Sequence, residues 1–341
     1  MLQKKIISFI AVLLCFFLLF SGCTNFLFNR TTDRIVQQAT PYIQKIVMNN
    51  LTLRIYANSL IRNCSSDKEC QISALYRSIV EHYNYVSDPT GKELIQSPFE
   101  TMAIQGGDCE DLTILYMSLL ENIGIKTYLV MTENHTYCLV ADVDTTILQK
   151  YNEQTLLQQL EKDNRETIRQ FYHGSFVLNG RESWYYGGNG SSFENDSSID
   201  YMNISYNIVS DSPVDFYVVP SREDFNLFNE REPFTSFPAF TQTYILTLNN
   251  TCPYLNTTGG IILHNSHFKE AAVQVHLNFY YHPSFTKIFK NYSITSYQLD
   301  NTTCIAVDPT AGVYGYPGFS SNLTKETYAI DPVTKEYFVL H

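Results

Sequence analysis

Gly106-Gly107-Asp108-Cys109-Glu110-Asp111-Leu112 is the stretch of this chain with the clearest chemical content. The two glycines interrupt regular structure, and Leu112, Leu115, Tyr116, Leu119, Leu120 and Ile123 then recur at helical spacing until Gly124. Cys109 therefore falls in the first turn of a helix, where the helix dipole places roughly half a positive charge and favours a thiolate. Glu110 and Asp111 act in the opposite direction, since negative neighbours oppose loss of the thiol proton. His135 opens a strand-like segment further on, and Val307-Asp308-Pro309-Thr310 comes much later. Cysteine, histidine and aspartate in that order form a candidate triad for nucleophilic acyl transfer. The thiolate attacks an amide carbonyl, the imidazole protonates the departing amine, and the acyl-thioester passes to water or to another amine. The oxyanion is assigned to the Cys109 backbone N–H, with Gln105 as a second candidate donor.

Positioning these groups requires a helix packed on a sheet. Residues 33–62 read as helix, with Pro41 as a kink or restart, and 71–85 as a second helix. Lys126–Met131 and His135–Val143 alternate with period two and read as strands joined at Thr132-Glu133-Asn134. A charged helix over 147–171 and a hairpin over 176–186 around Asn179-Gly180 follow. The Gly/Ser/Asn-rich segment 187–198 reads as a domain boundary. Beyond it, 201–285 is a series of short strands such as Phe216-Tyr217-Val218-Val219, which a β-sandwich would pack. The expected organisation is a leader or anchor over 1–22, a helical region and catalytic core over 23–198, a β-rich domain over 199–290, and C-terminal strands carrying Asp308 over 291–341, returning to the core. The fold class is α+β.

The cysteine motif, the Leu119-Leu120-Glu121-Asn122-Ile123-Gly124-Ile125-Lys126-Thr127 helix end, the His135-Thr136-Tyr137-Cys138-Leu139-Val140 strand and Val307-Asp308-Pro309-Thr310 together resemble the transglutaminase-like superfamily, with prokaryotic and especially archaeal extracellular members nearest. The resemblance covers about residues 70–145 and a short piece near 304–318. It implies a papain-like core in which Cys109 is the nucleophile, His135 the base and acid, and Asp308 the orienting acid. The family's acid usually lies within a few strands of the histidine. Here Trp184-Tyr185-Tyr186-Gly187-Gly188 stands where it would be expected. Either the β-rich domain is inserted between two core strands, or the acid is replaced, with Asn189 as substitute. Asp142 and Asp144 lie on the histidine strand and are poorly placed.

Composition fixes the setting. A formal charge of −11 and the lack of a basic stripe exclude a nucleic-acid partner. Met1–Lys5 is basic, Ile6–Phe20 is apolar, and Ser21-Gly22-Cys23 resembles a lipoprotein signal ending at a lipidated Cys23. An uncleaved anchor extended by Phe26-Leu27-Phe28 is the rival, and either tethers the chain to the outer face of a membrane. Eight cysteines and sequons that include Asn50, Asn63, Asn203, Asn249 and Asn322 agree with an oxidising, glycosylated exterior. Asn134 also heads a sequon, but a sugar beside His135 is not expected. Cys64 and Cys70 bracket a polar pentapeptide between two helices and are expected to form a disulfide. Cys252 and Cys304 are a second candidate pair. Cys138 leaves the opposite sheet face from His135 and reads as structural. A zinc site at Cys109, His135 and Cys138 lacks a fourth ligand, and the other histidines, such as His276, fit ordinary strand surface. No cofactor is expected. The substrate class is protein or peptide, with hydrolysis favoured over crosslinking. The alternative is a non-catalytic surface protein that uses the β-rich domain to bind a cell-surface partner.

Overall fold

The computed structural model describes residues 34–132, 134–194, 198–319 and 327–340. The expected leader, Cys23, and the sequons at Asn29, Asn195 and Asn322 lie outside the described residues. Among the described residues no helix is long and apolar enough to cross a membrane.

In chain order the elements are α1 (34–43), α2 (Leu51–Leu60), α3 (Lys68–His82), β1 (Asn84–Tyr85), α4 (Pro98–Ile104), β2 (Gly106–Gly107), α5 (Cys109–Asn122), β3 (Thr127–Met131), β4 (Thr136–Ala141), α6 (Thr145–Asp163), α7 (Arg165–Ile168), β5 (Arg169–Leu178), β6 (Ser183–Gly187), β7 (Ile199–Val219), α8 (Arg222–Glu230), β8 (Gln242–Leu255), β9 (Gly260–His264), β10 (Ala271–Pro283), α9 (Phe285–Ile288), β11 (Ser296–Leu299), β12 (Thr302–Val307), β13 (Thr327–Ile330) and β14 (Tyr337–Leu340). They form two compact units, Met1–Leu156 with Ser293–His341, and Leu157–Tyr292.

The first unit is α+β. Its antiparallel sheet runs β11-β12-β4-β3-β13-β14. One face meets the helices in a core that includes Leu53, Ile72, Leu115, Leu119, Leu129, Cys138 and Val140, and the other face buries Tyr128, Val130, Tyr137 and Leu139. The single helix expected over 33–62 is two helices. The chain breaks after Ile43, Asn49 takes a positive φ of 53°, and Asn50 caps the second helix by accepting from the Leu53 N–H at 3.1 Å. Asn122 at the end of α5 holds the break from both sides: its Oδ1 accepts from Asn50 N–H at 2.6 Å and its Nδ2 donates to Val47 O at 2.7 Å. Pro41 sits in the last turn of α1, which ends at Ile43. Cys64 and Cys70 form the expected disulfide, with Cα atoms 5.4 Å apart.

The second unit is sandwich-like, built from one continuous antiparallel sheet that curls over itself. Its path is β5-β10-β7-β9-β6, with β8 also on β7. The 21-residue β7 pairs with β10 through its first half and β9 through its second, so the sheet curls around one core containing Ile204, Tyr206, Phe216, Val275 and Phe279. The expected hairpin over 176–186 is only a turn. β5 pairs with β10 and β6 with β9, so these chain neighbours are opposite ends of the sheet path. The unit begins at Leu157, before the Gly/Ser/Asn-rich segment, because β5 and β6 belong to this sheet. Cys252 and Cys304 are not paired. Both are free and buried, one in each unit.

Candidate active site

The glycines before Cys109 are required by close approach. β2 pairs with β1 in parallel, Gly106 beside Asn84 and Gly107 beside Tyr85. A Cβ on Gly106 would lie 2.9 Å from the Asn84 carbonyl oxygen, and one on Gly107 would lie 2.5 Å from the Asp111 Cβ. Asp111 in turn accepts from Gln96 N–H at 2.8 Å and from Gln96 Nε2 at 2.6 Å, which fixes the approach to α4. Burial pushes the Asp111 carboxyl up to about 6. Asp108 occupies the N-cap of α5 without capping it through its side chain, and Cys109 is the first helical residue.

α5 lies across the start of β4. Thr113 Oγ1 donates to the Thr136 carbonyl at 3.2 Å, and the Thr136 backbone N–H faces the Cys109 sulfur. The thiol therefore sits at the residue that follows His135. His135 itself is held by a tight turn, its carbonyl accepting from Thr132 N–H at 2.8 Å and from Thr132 Oγ1 at 3.0 Å. Its ring stacks on Tyr137 at 6.2 Å.

Register brings in Asp308. β12 runs antiparallel to β4 with Val307 opposite Cys138, so the next residue reaches the level of Tyr137, beside His135. The Asp308 Oδ2 lies 2.7 Å from His135 Nε2. Its Oδ1 accepts from Thr310 N–H at 2.9 Å and from Thr310 Oγ1 at 2.6 Å. Burial alone would raise the Asp308 carboxyl, but the bonds from His135 and Thr310 outweigh it and hold it below the usual carboxylate range. The Asp308 bond raises His135, against a smaller opposing effect of burial.

The structure thus brings His135 and Asp308 together across the whole second unit, which leaves the sheet after β4 and returns at β11. The thiol's own hydrogen bond goes elsewhere. Cys109 Sγ donates to Glu110 Oε2 at 3.2 Å. Burial first, then the negative Glu110 and Asp108, push the thiol up to about 12, and only the Thr136 N–H pulls it down. The thiolate-favouring effect expected of the helix start is overridden by burial and by the acids beside it. Gln105 is exposed at the left-handed end of α4, with φ 55°, and its carbonyl accepts from Asn84 N–H at 3.0 Å. Cys138 is buried on the helix-facing side of the sheet.

Thr310 was not among the residues picked from sequence, although Asp-Pro-Thr has the pattern of a side chain that caps its own turn. Burial also raises Glu110 and Asp108, which face each other. Among the described residues, the ligating atoms of Asp88, Glu93 and Glu110 come within 4.8 Å of one another, the one grouping with the oxygen donors a hard divalent cation takes. Cys109, His135 and Cys138 make no such grouping.

Residues 54–153 match the model of the transglutaminase-like superfamily. The match runs from α2 into α6. It contains Cys109 and His135 and stops well before Asp308. No curated protein matches the chain.

Proposed function

We propose that the transglutaminase-like core of this protein carries out thiol-dependent acyl transfer, chiefly amide hydrolysis, on protein or peptide substrates outside the cell. The observation that carries this reading is the 2.7 Å His135–Asp308 pair at the start of β4, one residue from the amide that faces the Cys109 thiol. Asp308 occupies Nε2 and leaves Nδ1 for the nucleophile. Because the resting thiol is protonated and bonded to Glu110, the proton leaves during attack, not before it. Sγ exchanges Glu110 for His135, Nδ1 takes the proton, and the sulfur–carbon bond forms at the substrate carbonyl. The carbon–nitrogen bond then breaks, and the imidazolium returns the proton to the amine. Water, deprotonated by the same nitrogen, attacks the thioester carbonyl; the carbon–sulfur bond breaks, the acid leaves, and the imidazolium returns the proton to Sγ. The Cys109 backbone N–H and Gln105 hold the oxyanion. A lipid on Cys23 or an uncleaved anchor tethers the chain, in keeping with the apolar N-terminal segment, the disulfide and the sequons.

The test is an activated peptide acyl ester followed by intact-mass analysis and peptide mapping. One hydroxylamine-labile acyl group is expected on Cys109. Its decay to free acid, even with added amine, would select hydrolysis over crosslinking. No adduct, or one at Cys138, Cys252 or Cys304, contradicts the proposal. The Cys109–Glu110 bond favours a second reading, a non-catalytic surface binding protein, which a Cys109→Ala chain retaining its full cellular effect would select.

A further inference from the structure

The outer face of the second unit's sheet carries chemistry that the thiol site does not use. Register places His173 opposite His276, and Phe171 opposite Asn278, on β5 and β10. β7 sets Asn207 opposite His276, and β8 sets Asn249 opposite Asn207. These side chains alternate with the buried ones and share the solvent side. A depression of about 430 Å³ lies over them, and none of its ten lining residues is Asp, Glu, Lys or Arg. In a chain of net charge −11 this patch offers nothing to draw an anion or an ammonium group.

Its contents are of three kinds. Phe171 is an apolar ring left 64% exposed. His173 and His276 lie with ring centroids 3.8 Å apart. Asn207, Asn249 and Asn278 supply amides, and the Asn278 Oδ1 is buried without a hydrogen-bond partner, an acceptor that costs free energy until a donor reaches it. Two imidazoles without a thiolate or carboxylate fall short of a zinc set. A peptide strand would add at a free sheet edge, on the far side of β5 or β8, whereas the middle of this floor is β10 and β7, each paired on both sides.

We propose that this face binds a neutral oligosaccharide supplied from outside the chain. Sugar hydroxyls exchange bonds with the Asn207, Asn249 and Asn278 amides and the imidazoles. The C–H face of a ring lies on Phe171. The volume is within the range of small-ligand sites, about 300–1,000 Å³. Asn249 heads a sequon, so a sugar borne by the chain itself is the rival occupant. The inference is independent of whether Cys109 is a nucleophile.

The experiment uses the full chain made in a bacterial host without N-glycosylation. Saturation-transfer NMR is run with cellohexaose, maltohexaose, mannohexaose and chitohexaose, and with tetragalacturonate as the charged control. The expected result is transfer to at least one neutral hexaose and none to tetragalacturonate. Affinity should fall roughly tenfold or more in Phe171→Ala and in Asn278→Ala and stay unchanged in Cys109→Ala. His276→Ala is the further variant, and unfolding midpoints check that each variant folds. The proposal is overturned if no neutral hexaose shows transfer, if the charged control binds as well, or if the face variants bind as the parent does. It is also overturned if chain from a glycosylating host carries a sugar at Asn249 that abolishes binding.

Discussion

The two six-stranded sheets are built for different work. In the first unit, β4 is buried at every residue from Thr136 to Ala141, and β3 at every residue from Thr127 to Val130. In the second unit, β10 alternates buried and exposed residues from Ala271 to Leu277. A strand packed on both faces cannot shift without opening two cores, so the residues at its ends are held in place. That is where His135 sits, with Asp308 delivered by the neighbouring strand. A strand packed on one face leaves the other free to meet a partner. The difference separates a position suited to chemistry from a surface suited to binding.

The largest expected effect is on stability. Leu129→Ala opens a cavity in the helix-facing core and should cost about 2–5 kcal/mol in urea unfolding. Gln274→Ala, exposed on β10, should stay within about 0.5 kcal/mol of the parent. Equal losses would mean that the second sheet is covered after all.

Breaking the Cys64–Cys70 bridge with paired serines should cost about 2 kcal/mol, because the loop it closes is short. That bridge joins the start of α3, where Lys68 and Glu69 bond to Asp142 and Asp144 at the end of β4 opposite His135, so the acylation rate per folded molecule should not change.

Next come the charges beside the thiol. Burial raises the Glu110 carboxyl to about 8, and its pairing with Asp108 adds to this, so the fold keeps it protonated and loses stability to the ionised unfolded chain as the pH rises above the ordinary carboxylate value. Glu110→Gln should therefore stabilise the protein near neutral pH, on the order of 1 kcal/mol, with the gain vanishing below about pH 4. Iodoacetamide should also modify Cys109 faster at pH 8, by roughly tenfold for each unit the thiol falls. Unchanged alkylation would show that Glu110 does not restrain the sulfur.

The smallest effect is a shift in the titration of the histidine. Asp308 raises His135, and general-base chemistry needs the neutral ring, so acylation should rise with pH through a value above the ordinary histidine range of about 6.5. The stability this pair contributes is full below the unfolded histidine value and is lost as pH rises through the folded one. Asp308→Asn should move the acid limb of the rate profile downward. Thr310→Val, which removes one bond to Asp308, should move it the same way by less.

Sequence periodicity made the local parts of this arrangement legible. Apolar spacing after Gly106-Gly107 put Cys109 at a helix start, alternation delimited β3 and β4, and the pentapeptide between Cys64 and Cys70 announced a closed connection. Pairing partners were not legible. Alternation says which face of a strand is buried but not which strand lies beside it, so Phe176–Tyr186 read as a hairpin although β5 and β6 pair with distant strands. That the β-rich unit is one continuous sheet curled on itself was hidden for the same reason, because a 21-residue strand that changes partners midway looks like two strands. The break after α1 was hidden because Asn50 and Asn122 meet only through the fold. The thiol's charge balance was half legible: the adjacent acids were in view, but burial, the largest influence, is a tertiary property.

The central claim is that Cys109 and His135 act as nucleophile and base. The most direct measurement is the rate at which a peptide acyl ester acylates Cys109 in the parent and in His135→Ala, followed by mass across pH 5 to 10. The account predicts a fall of about 10²–10⁴-fold near neutral pH, with the variant recovering only in alkali, as the thiol loses its proton unaided. Acylation that is equally fast in His135→Ala at neutral pH would contradict it.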